Sequence, residues 1–115
     1  MKEVSKIITY RGEQYKIVFN LNVMEIIQEE YGTIDKWGAL TDGKSGETNV
    51  KALLFGFAAM INEGIEIDND EKGENRPLID KKKAGRILSD LGVDNTTSEI
   101  NELVIESARS DEKNA

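Results

Sequence analysis

The apolar positions near the N-terminus fall into two short runs that are separated by a polar segment. Residues 4–9 (VSKIIT) and 15–20 (YKIVFN) are rich in β-branched and aromatic side chains, which favour extended backbone. The segment YRGEQ between them contains Gly12 as the turn residue and predicts a loop of about 3–5 residues. The pattern predicts a β-hairpin, and because an isolated hairpin is only marginally stable in water, it must pack against the rest of the chain.

The next apolar positions recur at helical spacing and predict a first helix. Asn22, with Glu25 three residues later, has the spacing of a capping box, and Gly32 has the position of a C-terminal stop. A short helical turn over residues 33–39 then presents Trp37. The apolar face of the first helix consists of Val23, Met24, Ile26, Ile27 and Tyr31.

The most apolar segment of the chain follows a polar loop. Asn49 is the predicted N-cap of a helix that runs to about Glu63, with Gly64 as its stop. Only Lys51 interrupts the apolar character of its interior, VKALLFGFAAMI. A helix that is apolar on every side either lies at the centre of a fold or keeps a second face for a partner.

The C-terminal part combines one polar segment with two amphipathic helices. Residues 66–76 (EIDNDEKGENR) are polar and charged, which predicts a solvated, mobile loop. The next helix begins near Asp80 and stops at Gly92. Thr96 and Glu99 have capping-box spacing for a last helix that reaches about residue 109. The two apolar stripes are Ala84, Ile87, Leu88 and Leu91, and then Ile100, Leu103, Val104 and Ala108.

This order of elements predicts an α+β fold in which an N-terminal β-hairpin packs on a small bundle of about four helices. We expect one domain over residues 1–109 and a flexible tail over residues 110–115. A chain of 115 residues is long enough to bury a core without disulfides or metals.

Composition narrows the chemistry. The net charge is −7, and the sequence contains no Cys and no His. An acidic chain is repelled by phosphate backbones, and the absence of His removes the commonest general base and the commonest metal ligand. The N-terminus lacks the apolar region of a secretory signal, and the longest apolar run, residues 52–61, is too short to cross a membrane. We therefore expect a non-enzymatic protein that needs no cofactor and binds neither nucleic acid nor membranes.

Two short motifs resemble functional sites, but their context argues against both. Residues 68–73 begin like a calcium-binding loop, yet Lys72 and Ile79 occupy positions that need oxygen ligands. Residues 38–45 fit the phosphate-loop pattern G-x-x-x-x-G-K-[ST]. They neither follow a buried strand nor open a helix, so a nucleotide switch stays a minor alternative.

Other polar and aromatic groups have ordinary structural interpretations. Glu29 and Glu30 are expected to be surface acids. The basic cluster over residues 81–86 (KKKAGR) is expected to be a solvated face, with a docking patch for an acidic partner or a phosphate contact as alternatives. The aromatic residues expected in the core are Trp37, Phe55 and Phe57.

The order of these segments resembles the phage tail assembly chaperone family. The run YKIVFNLNVMEIIQEEYGTIDKW is similar to the hairpin end and first helix that open those proteins. VKALLFGFAAMINEG resembles their apolar helix, and RPLIDKKKAGRILSDLG their Pro-Leu helix start and Leu-Gly end. The likeness covers about residues 4–109. Residues 66–76 depart from it as an enlarged version of a short connector.

The resemblance implies a function in tail assembly. Such proteins bind the long, largely helical tape-measure protein of the same phage and help to recruit tail tube subunits. They act in the host cytoplasm, are absent from the finished virion, and often also exist as a longer frameshifted product. This chain would correspond to the short product. Self-association is a further expectation. The alternative is another small phage structural protein, a head–tail connector or tail completion component, which would stay in the particle.

We expect the partner to bind in apolar grooves beside the predicted helices 49–63 and 97–109, because these helices carry more apolar surface than one hairpin can cover. The candidate contact residues are Phe55, Met60, Ile100, Leu103 and Val104.

Overall fold

The computed structural model describes residues 3–44 and 46–113, with the side chains of residues 3–44 and 46–107. It confirms the expected α+β fold, with an N-terminal antiparallel hairpin followed by five helices in this described part of the chain. The elements are β1 (Val4–Tyr10), β2 (Glu13–Phe19), α1 (Leu21–Tyr31), α2 (Ile34–Thr41), α3 (Val50–Lys72), α4 (Lys81–Leu91) and α5 (Val93–Lys113).

The hairpin has a two-residue turn, shorter than the predicted loop, because Tyr10 and Glu13 still pair as strand residues. Its strands pair from Val4 opposite Phe19 to Tyr10 opposite Glu13. Arg11 and Gly12 both have positive φ angles, of 49° and 80°, as the tight turns that match strand twist require. One side of the hairpin is buried through alternate residues of β2, namely Tyr15, Ile17 and Phe19, and through Val4 and Ile8 of β1. Val18 is also buried, although the alternation along a strand places it on the other side.

Helix α3 is the centre of the fold. It contacts β2 as well as α1, α2 and α4. One face is buried along nearly the whole helix, at Ala52, Leu53, Gly56, Phe57, Met60, Ile61, Gly64, Ile65 and Asp68. This spacing of three and four residues places all of them on one side of a helix. The hairpin covers most of that side, and Trp37 of α2 packs against it at Gly56.

The prediction that α3 stops at Gly64 and that residues 66–76 form a loop is wrong, because the helix continues to Lys72. A Cβ atom at Gly64 would overlap the carbonyl oxygen of Lys16 in β2, so this glycine permits a close helix–strand contact. One turn later, a carboxylate oxygen of Asp68 lies 3.3 Å from the Lys16 Nζ atom. The helix ends at Gly73, which has a left-handed φ of 66°.

Other helix boundaries are partly as predicted. Asn49 and Asp80 cap α3 and α4, and Gly32 and Gly92 follow α1 and α4. The cap of α1 is Asn20 rather than Asn22, because the Asn20 side chain accepts the Val23 N–H at 3.2 Å.

The last helix is longer than predicted at both ends. Helix α5 begins at Val93, directly after Gly92, instead of after Thr96. It extends to Lys113, so residues 110–113 of the expected tail are helical. Residues 114 and 115 of that predicted tail lie outside the described residues.

Trp37 anchors α2 to α3. Its indole Nε1 donates a hydrogen bond to the carbonyl oxygen of Ala52 at 2.8 Å, and the side chain is 1% exposed. A Cβ at Gly56 would overlap the indole ring, so the ring packs directly on the α3 backbone. Trp37 and Phe57 are core residues as predicted, whereas Phe55 is only half-buried.

Two helical glycines provide a matched test of the contact between α3 and β2. We expect Gly64→Ala to lower the free energy of unfolding by about 1–3 kcal/mol or more, because the new methyl group overlaps a backbone carbonyl that cannot move without shifting β2. Gly85→Ala in α4 should instead raise stability by about 0.5–1 kcal/mol, since its nearest neighbour would be the Leu54 Cδ1 atom at 3.9 Å. Urea unfolding of the two variants measures both effects. A Gly64→Ala protein as stable as the parent would contradict the contact.

Candidate partner-binding groove

An open apolar cavity of about 390 Å³ lies along the side of α3 that faces away from the hairpin. We call it the α3 groove. Its floor is formed by half-buried residues of α3, with the two small side chains Ala58 and Ala59 at its centre. The apolar residues that line it are Ile26, Tyr31, Leu54, Phe55, Ala58, Ala59 and Leu78. Helix α3 therefore uses one apolar face for the core and leaves a second one partly open.

One wall of the groove is α1, which runs antiparallel to α3. At one end the Tyr31 and Phe55 rings meet edge to face, with centroids 5.5 Å apart. At the other end the Glu63 carboxylate accepts hydrogen bonds from the side-chain amides of Asn20, at 2.6 Å, and Asn22, at 2.9 Å. These contacts hold both ends of α1 and so set the width of the groove.

The opposite wall is the strap, residues 74–80, which connects α3 to α4. Two asparagines of α3 each bind one strap residue through two hydrogen bonds. Asn62 binds the N–H of Ile79 at 2.8 Å and its carbonyl at 3.1 Å. Asn69 binds the N–H and the carbonyl of Arg76, both at 3.0 Å. The strap is therefore fixed to α3, and it presents Leu78, which is 51% exposed, at the rim of the groove.

The strap is also attached to the hairpin through Arg76. The Arg76 guanidinium lies 4.8 Å from the centre of the Tyr15 ring and donates to the carbonyl of Gln14 at 3.1 Å. The Tyr15 hydroxyl donates to the Glu13 carboxylate at 2.9 Å. This hydrogen bond, followed by the charges of Lys83 and Arg76, lowers the pKa of Glu13. The cluster links the strap to the opposite side of the molecule from the groove.

Charged side chains surround the apolar floor. Glu63 and Glu66 lie at the end of the groove near the C-terminal half of α3, and Lys51 lies at the other end, with Glu30 of α1 nearby. Lys81, the first residue of α4, lines the strap side. Burial, followed by the charge of Glu30, raises the pKa of the Tyr31 hydroxyl above its ordinary value. An apolar floor with a charged rim suits the two faces of an amphipathic helix.

Another open cavity, of about 360 Å³, lies between α2 and α5. We call it the α2–α5 groove. Its apolar lining includes Ile34, Val104 and Ile105, and Ile105 is 50% exposed. The two grooves lie beside α3 and α5, the helices expected to have open apolar surface.

The structure separates the five predicted contact residues into two groups. Phe55 lines the α3 groove and Val104 lines the α2–α5 groove. Met60, Ile100 and Leu103 are core residues, with 0%, 1% and 3% exposure. They cannot touch a partner in this fold, because α3 and α5 turn these positions towards the hairpin and α4. Sequence reasoning missed the groove residues Ile26, Leu54, Ala58, Ala59 and Leu78, whose exposure depends on which helices become neighbours.

The motifs that resemble other kinds of site lie partly within helices. Residues 68–72 of the calcium-like segment belong to α3, and no group of three or more His, Cys, Asp or Glu residues in the described ranges could hold a metal ion. Gly38 of the phosphate-loop match lies inside α2, and Ser45 lies outside the described residues. None of the helices within residues 3–44 and 46–113 is sufficiently long and apolar for a membrane span.

The strap wall depends on Asn62, and this dependence is testable. We expect Asn62→Ala to lower the free energy of unfolding by about 1–3 kcal/mol, because the polar backbone groups of Ile79 lose both partners. Amide hydrogen exchange at Ile79 should accelerate. Asn69→Ala is the matched control, since it releases Arg76 at the other end of the strap and should leave exchange at Ile79 slow. Unchanged exchange at Ile79 in Asn62→Ala would show that the strap is held in another way.

The groove, its two walls and its charged rim therefore define the candidate site by geometry alone. No protein-family model, no curated protein and no solved structure matches this chain.

Proposed function

We propose that the chain is a phage tail assembly chaperone that binds the tape-measure protein and helps to recruit tail tube subunits. The observation that carries this proposal is the α3 groove, an open apolar surface on the central helix of the fold. A long helical partner has the shape that such a groove accepts, because the apolar stripe of an amphipathic helix fits between two walls. The sequence resemblance over residues 4–109 supports the same function.

The surface of the groove also suits temporary binding. The apolar floor is bordered by five charged side chains, Glu30, Lys51, Glu63, Glu66 and Lys81. A small apolar patch with a polar rim is typical of interfaces that form and separate, whereas permanent interfaces are larger and more apolar. In the proposed function the chaperone leaves the tape-measure protein as the tube forms, so it acts in the host cytoplasm and is absent from the finished virion.

The net charge of −7 supports a holding function. A protein that carries an aggregation-prone partner must keep the complex in solution, and a net charge well away from zero favours this. The proposed function needs no catalytic group and no cofactor, since binding alone keeps the partner soluble.

Co-expression with the tape-measure candidate, the long helical protein of the same phage, tests the proposal. The parent chain should raise the soluble amount of that protein. Ile26→Glu, which places a carboxylate at the α3 groove, should weaken binding at least about tenfold, because burying an unpaired charge costs more than about 1.4 kcal/mol. Ile26 is 39% exposed, so the variant should fold.

The matched control is Ile7→Glu. Ile7 is 56% exposed on β1 and lies outside the α3 groove, so this variant has the same change of residue and charge. It should retain full activity in co-expression. No gain in solubility of the tape-measure candidate with the well-folded parent chain would refute the chaperone function. If both variants lost this effect equally, the α3 groove would not be the binding site. Detection of the chain in purified particles would instead favour a connector or tail completion component.

A further inference from the structure

The α3 groove has an unequal distribution of charge along its length. Glu63 and Glu66 give one end two negative charges, whereas Lys51 at the other end is balanced by Glu30. Lys81 adds a positive charge on the strap side. The position of Lys81 along the axis of α3 follows from the residues on either side of it in the chain. Ile79 hydrogen-bonds to Asn62, and Gly85 lies next to Leu54. Lys81 therefore lies closer to the middle of the groove than Glu66 does.

The two ends differ by more than the count of charges. The Glu63 carboxylate is held in place by Asn20 and Asn22, so its negative charge has a defined position. Glu66 and Lys51 are exposed, and neither forms an ion pair with another described residue. Both therefore remain available to a ligand. From Lys51 to Glu66 the helix axis advances by about 22 Å, enough for about four turns of a second helix.

We propose that the α3 groove binds one amphipathic helix of its partner in a single direction, antiparallel to α3. The N-terminal end of the bound helix, with basic side chains in its first turns, lies at Glu63 and Glu66. Its C-terminal end lies at Lys51. This inference rests on the proposed function in taking the groove as a helix-binding site, and it adds the direction and charge pattern of the bound helix.

Two electrostatic arguments favour this direction, and the small side chains of the floor favour a helix as the ligand. The N-terminus of a helix carries a partial positive charge and its C-terminus a partial negative one, so the acidic end of the groove attracts the former. Basic side chains of the ligand gain charge complementarity with Glu63 and Glu66. Ala58 and Ala59 at the centre of the floor leave room for the side chains of a second helix at the usual axis separation of about 8–10 Å.

Two synthetic peptides test the proposal on the full chain. Both have 18 residues, the same stripe of Leu and Ala, and a hydrocarbon staple that keeps them helical. One carries Lys in its first turns and Glu in its last turns, and the other has the reverse order. We expect the first peptide to bind about fivefold more tightly at low ionic strength, and the difference to shrink in high salt. Equal affinities, or no binding of either peptide, would overturn the proposal.

A charge reversal of the groove provides the control. In the double variant Lys51→Glu with Glu66→Lys, both changes are at exposed positions, so the fold should be kept. The preference between the peptides should then disappear or reverse. An unchanged preference would show that the charges of the groove do not set the direction.

The direction can also be observed without relying on affinity. The sequence has no Cys, so one nitroxide label can be attached through Asp70→Cys, one turn beyond Glu66, or through Glu47→Cys, in the loop just before α3. The Asp70 label should broaden NMR signals from the N-terminal half of the Lys-first peptide, and the Glu47 label those from its C-terminal half. The opposite pattern would overturn the proposal.

These outcomes are distinct from those of the co-expression test. If the peptides bind without preference while the tape-measure candidate is still solubilised, the chaperone function survives and the proposed direction does not. If the peptides discriminate but co-expression has no effect, the groove binds helices and the chaperone function is wrong. A dimer that Ile26→Glu separates would assign the groove to a second copy of the chain and would overturn the inference.

Discussion

The contact between Gly64 of α3 and the backbone of Lys16 in β2 sets the arrangement of the other elements. Only glycine lets the helix approach the carbonyl oxygen of Lys16 at this position. The approach orients α3 so that Phe57, Met60 and Ile61 are fully buried. It also brings Asp68 to the Lys16 Nζ atom at 3.3 Å, which offsets the cost of burying that carboxylate. Once this face is fixed on the hairpin, the opposite face of α3 must be covered by α1 and the strap, or stay open.

The open face follows from the lengths and directions of the neighbouring elements. Helix α1 runs antiparallel to α3. One end is held by the contact of Tyr31 with Phe55, and the other by the hydrogen bond from Asn20 to Glu63. The strap returns along the other side and is held at Asn62 and Asn69. Neither α1 nor the strap reaches across Ala58 and Ala59, so the α3 groove remains open between these two walls. The same polar contacts that stabilise the fold thus shape the candidate site, and in the proposed function they keep the groove open before a partner arrives.

Local signals in the sequence were sufficient for the hairpin, for the α+β class and for several helix ends. The caps Asn49 and Asp80 and the glycines Gly32 and Gly92 act through their own backbone or side chain, so no distant residue is needed to recognise them. Gly64 shows where such reasoning fails. A glycine after an apolar run has the pattern of a helix stop, and only its distant neighbour Lys16 reveals that it is a contact inside a longer helix.

The candidate site was less predictable for a related reason. The sequence showed that α3 has more apolar surface than a single core face requires, and the structure places Phe55 in the groove beside it. Met60 has the same apolar character but is completely buried. Which residue of an all-apolar helix remains accessible depends on the rotation of that helix against β2, and this rotation is a tertiary property. The contributions of Ile26 and Leu78 depend in the same way on the positions of α1 and the strap.

The central claim is that α3 is one helix with a buried face and an open apolar face. Alanine methyl groups lie on both faces, and their accessibility to solvent can be measured directly. A soluble gadolinium chelate speeds the NMR relaxation of the methyl groups that it can approach. Ala52 and Ala84 are fully buried, whereas Ala58 and Ala59 line the groove. We expect clearly faster relaxation for the methyl groups of Ala58 and Ala59. Equal protection of all four methyl groups would contradict it, since the second face of α3 would then be covered.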